Sequence, residues 1–173
     1  MLHSEKTVKT GFQRTITVLL WLSIVLAWLI SIFSVIEEMC LATACRDTVN
    51  FTFLGINLGW LGVAYFSVLL IMLWQRTRKI FLNWVLVAMV FAGVGAELRL
   101  LWIQKYVIKG WCPLCVSICF ALFCAAILLL FERNQVVESD RISNKSVFTW
   151  IIFILIMIAS GLLFAILGVK SLE

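Results

Sequence analysis

Five apolar stretches, at residues 16–36, 58–74, 80–104, 112–131 and 147–169, constrain this chain more than any other feature. Each has a length in the range, roughly 17–25 residues, that a helix needs to cross a hydrocarbon core. In lipid an unpaired backbone N–H or C=O costs several kcal/mol, so each crossing must be helical. The predicted fold is therefore an all-α integral membrane protein, a compact bundle of about five transmembrane helices. Composition agrees: 64% of residues are hydrophobic and 13% charged, against roughly 45–50% apolar in soluble domains. Too little chain lies outside the stretches for a soluble domain. The first stretch is longer than a signal-peptide core and is followed by no small-residue cleavage motif, so it reads as a retained helix.

The net charge of +5 does not point to nucleic acid, because the basic residues sit in short connections rather than in one patch. Nine of them, Lys6, Lys9, Arg14, Arg76, Arg78, Lys79, Arg133, Arg141 and Lys145, fall on one side of the five spans. Arg46, Lys105, Lys109 and Lys170 fall on the other, and Arg99 lies within the third span. The positive-inside rule then predicts a cytoplasmic N-terminus and an external C-terminus. Trp60, Trp102 and Trp111 cluster near one set of helix ends and Trp74, Trp84 and Trp150 near the other, as interfacial aromatic belts do.

On this topology the longest external segment is 37–57, whose polar run Cys45-Arg-Asp-Thr-Val-Asn breaks from helix. The internal connection 132–146 is polar and reads as a solvated linker without chemistry. Ala88, Ala92 and Ala96 recur every four positions on the third helix and would let a neighbour approach closely.

The six cysteines carry the functional signal. Cys40 and Cys45 fall in the external segment, and Cys112 and Cys115 start the fourth helix at the same face. A set of four cysteines on a non-cytoplasmic face reads as redox chemistry or as a disulfide framework. In Trp111-Cys112-Pro113-Leu114-Cys115 the proline favours the first helical turn, which makes Cys112 the N-cap and puts Cys115 one turn later. The unpaired N–H groups and the dipole of a helix N-terminus favour a thiolate, the nucleophile of disulfide exchange. Cys40 and Cys45 are close enough in sequence to pair, and so short a loop stabilises little, which suits an exchangeable bridge better than a structural one. Cys119, four residues after Cys115, shares its helix face, whereas Cys124 points away and reads as packing.

Two ionisable residues lie inside the third span. Arg99 is near enough to the outer end to snorkel, and Glu97, shorter and deeper, is a candidate for proton handling. Asn57, at the start of the second span, reads on its own as a helix cap.

The order of motifs, Cys40-Leu-Ala-Thr-Ala-Cys45-Arg-Asp, then Gly55-Ile-Asn57-Leu-Gly-Trp-Leu-Gly62-Val-Ala-Tyr65, then Trp111-Cys-Pro-Leu-Cys115, resembles the vitamin K epoxide reductase family. More narrowly it resembles bacterial members that parallel DsbB-type oxidases, although in DsbB-type proteins the quinone-proximal pair precedes the loop pair. The resemblance covers about residues 16–131. It implies one transmembrane domain over 1–173, with a four-helix catalytic core at 16–131, an external cysteine loop at 37–57 and an additional helix at 147–169. By position it implies four catalytic cysteines: Cys40 exchanges with a partner, Cys45 passes electrons to Cys112, and Cys115 faces a quinone, either ubiquinone or menaquinone. Asn57 is implied to hydrogen-bond a quinone oxygen. Tyr65 lies eight residues on, on roughly the same face. Cys119 stands where animal members carry a quinone-contacting tyrosine, and both join the cofactor-binding candidates.

The implied function is a membrane thiol oxidoreductase that reoxidises a separate thioredoxin-fold, DsbA-like partner and supports disulfide formation. It would sit in the cytoplasmic membrane with its active cysteines outside, without a metal, and vitamin K epoxide would not be its substrate. The competing class is a thiolate-based metal-binding or metal-transport protein. Transport predicts ligands spaced along a path, whereas these pairs gather at one face.

Overall fold

The computed structural model describes the backbone of residues 2–39, 51–53, 56–76, 80–137 and 144–171. Five helices carry the fold: α1 (Leu2–Met39), α2 (Leu58–Gln75), α3 (Ile80–Ile103), α4 (Pro113–Val137) and α5 (Asn144–Gly168). Each contains a span long and apolar enough to cross a membrane, as the sequence predicts. A π turn (Gln104–Ile108) follows α3, and three short strands, β1 (Phe51–Phe53), β2 (Ile56–Asn57) and β3 (Val169–Ser171), lie outside the helices.

Helix α1 packs against α2 and α4, and α3 closes the ring by packing against the same two. The buried side chains of α1, Ile16, Leu20, Ile24, Ala27, Ser31 and Val35, recur at spacings of three and four and form one stripe. Leu22, Leu26, Leu29 and Phe33, on the other side, are each at least 50% exposed. Such a surface has no place in water but suits lipid tails, which are as apolar as the leucines themselves. Association therefore rests on close packing. Gly62 of α2 lies against Ser31, where an added Cβ would stand 3.1 Å from Ser31 Oγ. One turn away, Trp28 Nε1 donates to Ser67 Oγ at 2.9 Å.

Helix α5 lies outside this ring, on α3. Two glycines permit the approach. A Cβ at Gly95 would collide with the Ile158 carbonyl, and one at Gly161 with the Ala92 carbonyl. The alanine ladder thus marks the correct face of α3 at Ala92, while the closest approaches are made by glycines. At the far end of the same pair, the Trp84 and Trp150 rings stand 5.4 Å apart and Phe153 packs edge-on to Trp84.

The ends of the bundle differ. At one, Arg76 after α2 pairs with Glu132 of α4. At the other, β1 pairs antiparallel with β2 (Thr52 opposite Asn57) and with β3 (Phe51 opposite Ser171). The segment 37–57 is therefore partly strand rather than a simple loop, because Phe-Thr-Phe and Ile-Asn are separated by only two residues and suit a hairpin. The pairing with β3 ties the end of α5 to the segment preceding α2.

Replacing Gly161 with leucine is expected to destabilise the protein by about 1–3 kcal/mol or more, since overpacking here meets backbone and not a movable side chain. Leu163→Ala, at a position 57% exposed, should change stability far less. Thermal unfolding of both variants in detergent checks the contrast.

Candidate functional site

Helix α4 starts at Pro113, and the Cys112 carbonyl accepts the Val116 N–H at 3.1 Å, so Cys112 is the N-cap. Proline suits the first helical position because its missing N–H would have no partner there. Cys115 follows within the first turn, half-buried, while Cys112 is 3% exposed. Cys112 is disulfide-bonded. Cys115, Cys119 and Cys124 are all free thiols, so the bond does not close the Cys112–Cys115 pair, and its partner sulfur lies outside the described residues. Cys40 and Cys45 also lie outside them.

The element that holds this turn is the end of α3. Regular α geometry stops at Ile103 and gives way to a π turn, Gln104–Ile108. Lys109 closes it in the left-handed conformation (φ 55°, ψ 26°) and donates its N–H to the Gln104 carbonyl, as does Gly110 at 3.2 Å. The sequence reading carried the helix straight to Gln104 and gave that residue no role. In the structure Gln104 is 2% exposed. Its Oε1 accepts the Cys112 N–H at 3.4 Å, and its side chain is hydrogen-bonded to the Cys115 sulfur. A lone glutamine at the end of an apolar run was the available signal.

Below Gln104, the inward face of α3 is defined by Gly93, where an added Cβ would strike Tyr65 of α2 and approach Leu122 of α4. Glu97 is four residues and Gln104 eleven residues further on, close to whole numbers of turns, so both share that face. The Glu97 carboxyl lies within electrostatic reach of Tyr65, Cys115 and Cys119. Tyr65, Glu97, Gln104, Cys115 and Cys119 thus place polar or thiol groups from three helices on facing sides of an otherwise apolar interior. Cys119 is buried one turn below Cys115, on the face the spacing predicts, and Cys124 is half-buried. Tyr65 donates its hydroxyl proton to the Met89 carbonyl at 2.8 Å.

Arg99 departs from this face. Its guanidinium carbon lies 4.4 Å from the centroid of the exposed Trp102 ring, which leads it toward the helix end. Asn57 immediately precedes α2 and its backbone pairs with Thr52; its side chain lies outside the described residues. Among the described residues no three His, Cys, Asp or Glu side chains gather as a metal site requires.

Gln104→Met keeps the volume but removes the acceptor from the buried Cys112 N–H, a loss worth about 1–3 kcal/mol. Hydrogen exchange at the Cys112 amide is expected to accelerate by roughly one to two orders of magnitude, with helix content unchanged by circular dichroism.

Searches of curated proteins and of solved structures returned no match. The profile of the vitamin K epoxide reductase family matches residues 41–130, just over half of the chain, from the residue after Cys40 into α4. With a Cys-Pro-Leu-Cys turn capping α4 inside five membrane-length helices, the chain belongs to the vitamin K epoxide reductase family of quinone-dependent membrane thiol oxidoreductases.

Proposed function

We propose that this enzyme oxidises the thiols of a thioredoxin-fold, DsbA-like partner and passes the electrons inward to a membrane quinone, supporting disulfide formation outside the cytoplasm. The observation that carries the reading is the state of the Cys112–Cys115 turn: Cys112 is bonded to a sulfur other than Cys115, and Cys115 is free. A relay passes through that arrangement. In it a loop thiolate attacks Cys112 Sγ, the Cys112–Cys115 bond breaks, and Cys115 leaves with the electron pair.

The relay assigns Cys40 to exchange with the partner, Cys45 to attack Cys112, and Cys115 to the quinone side. Attack of Cys40 on Cys45 then restores the loop disulfide and releases Cys112. Two electrons and two protons remain on the Cys112–Cys115 dithiol, and the quinone is their acceptor. The residues present fit such a group. Cys115 supplies the reductant, and Cys119, Glu97 and the acceptor oxygen of Tyr65 offer groups able to hydrogen-bond on the facing helices. Val116 and Phe120, one step round α4, are 38% and 71% exposed and leave this side of the helix open to lipid. Asn57 is a further candidate for a quinone oxygen. The charge bias supports an N-terminus in the cytoplasm and a location in the cytoplasmic membrane, with the cysteine end outside.

Cys115→Ala is expected to abolish quinone reduction while allowing one round of exchange between a reduced thioredoxin-fold protein and the loop pair. Continued turnover by this variant would sink the relay. Removing Cys40 and Cys115 together leaves Cys45 and Cys112 without the neighbours that resolve a mixed disulfide, so that bridge should accumulate. Mass spectrometry of non-reduced peptides reads it, and a Cys45–Cys119 bridge would refute the proposed order.

A further inference from the structure

We propose that Glu97 takes the proton that leaves Cys115 and holds it within the membrane until the oxidant collects it, a role that rests on the quinone-linked reading above. Glu97 shares the inward face of α3 with Gly93 and Gln104, and its carboxyl acts electrostatically on Cys115 and Cys119 of α4 and on Tyr65 of α2. Along the α3–α4 contact Glu97 lies between Gly93, which faces Leu122, and Gln104, which holds Cys112, and a carboxylate and a thiolate facing each other across a low-dielectric interior repel, which disfavours ionising both. Cys115 leaves Cys112 as an unprotonated thiolate and becomes a thiol by taking up one of the two protons that enter with the partner's electrons; when the Cys112–Cys115 bond closes again, the Glu97 carboxylate is the neighbour that can take that proton.

The other groups around the site are excluded by what they already do. The Tyr65 hydroxyl proton is committed to the Met89 carbonyl at 2.8 Å. Gln104 hydrogen-bonds Cys112 and Cys115 but does not titrate. Cys119 lies one turn further along α4 from Cys112 than Cys115 does. Arg99, two residues along α3, stacks on Trp102. Between residues 15 and 36 of α1 and between 148 and 169 of α5, the described side chains include no charged group. Closing the Cys112–Cys115 disulfide releases two electrons and two protons, all accepted by the quinone as the two-electron oxidant. One proton leaves Cys112 Sγ, and the other leaves Cys115 Sγ by way of Glu97.

Infrared difference spectroscopy on the full-length protein, cycled between dithiothreitol and a soluble quinone analogue, tests this directly. A carboxylic acid C=O stretch should change with redox state, shift in D2O, vanish in Glu97→Gln, and lose its redox dependence in Cys115→Ala. Quinone reduction by Glu97→Gln should fall by roughly a hundredfold or more, while a single exchange between the partner and the loop pair persists. An unchanged rate and an unchanged band in Glu97→Gln would overturn the role of Glu97 and leave the relay standing. Unaltered protein that reduces no quinone would overturn the relay and this role together. Should Glu97→Gln fail to fold, the spectra of the unaltered protein and of Cys115→Ala decide: no redox-linked carboxyl band, or one that survives without Cys115, overturns the proposal.

Discussion

Hydrocarbon offers no hydrogen bonds, and the rest of this structure follows from that. Backbone groups must be satisfied inside each crossing segment, so the five spans are helical before any of them meets another. The same pressure acts on side chains. The hydroxyls of Thr17, Ser31, Ser67 and Ser117 each donate to a carbonyl four residues earlier on their own helix. Ser67 then still has a lone pair for Trp28 of α1. With no water to expel, adjacent helices gain contact chiefly by close approach, which is why Gly95 and Gly161 sit where backbones meet and Gly62 sits against the Ser31 side chain.

The chemistry is built where helical regularity stops. At the end of α3 the π turn and the left-handed Lys109 leave backbone groups that the helix no longer pairs, and the Gln104 carbonyl collects two of them. The Gln104 side chain then reaches across to α4 and satisfies the N-cap residue. One buried amide thus joins the irregular end of α3 to the reactive turn of α4. An N-cap cysteine is an effective leaving and attacking group only if its helix start is fixed, since thiol–disulfide exchange needs three sulfurs nearly in reach of one another. Fixing that start with a neutral amide adds no further ionisable group to an interior that already holds Glu97.

Much of this could be read from residues alone. The start of α2 after Asn57 and the N-cap position of Cys112 follow from hydropathy, proline chemistry and helical periodicity, and so does the placement of Cys119 beneath Cys115. These are local rules, and lipid enforces them strictly. Other features escaped. The π turn carries no sequence signature, so Gln104 looked like the last residue of an ordinary helix. The alanine ladder suggested a contact face on α3, but which small residues actually touch depends on the crossing of α5, set by Gly95 and Gly161 together. The strand at 169–171 was invisible because a three-residue strand exists only when a partner edge is supplied.

Residues alone settle the number of membrane-length helices and the cysteine spacing, because each is a property of one segment in a solvent that permits few conformations. Tertiary structure decided what the polar groups do. Tyr65 donates its hydroxyl to the Met89 carbonyl, a partner supplied by α3. Glu97 is a candidate for proton handling from its depth alone, and α2 and α4 supply the phenol and the two thiols within its field. Gln104 became a fastening only when α4 began beside it. Electrostatic and hydrogen-bond partners in a bundle come from other helices, at separations along the chain that no local pattern records.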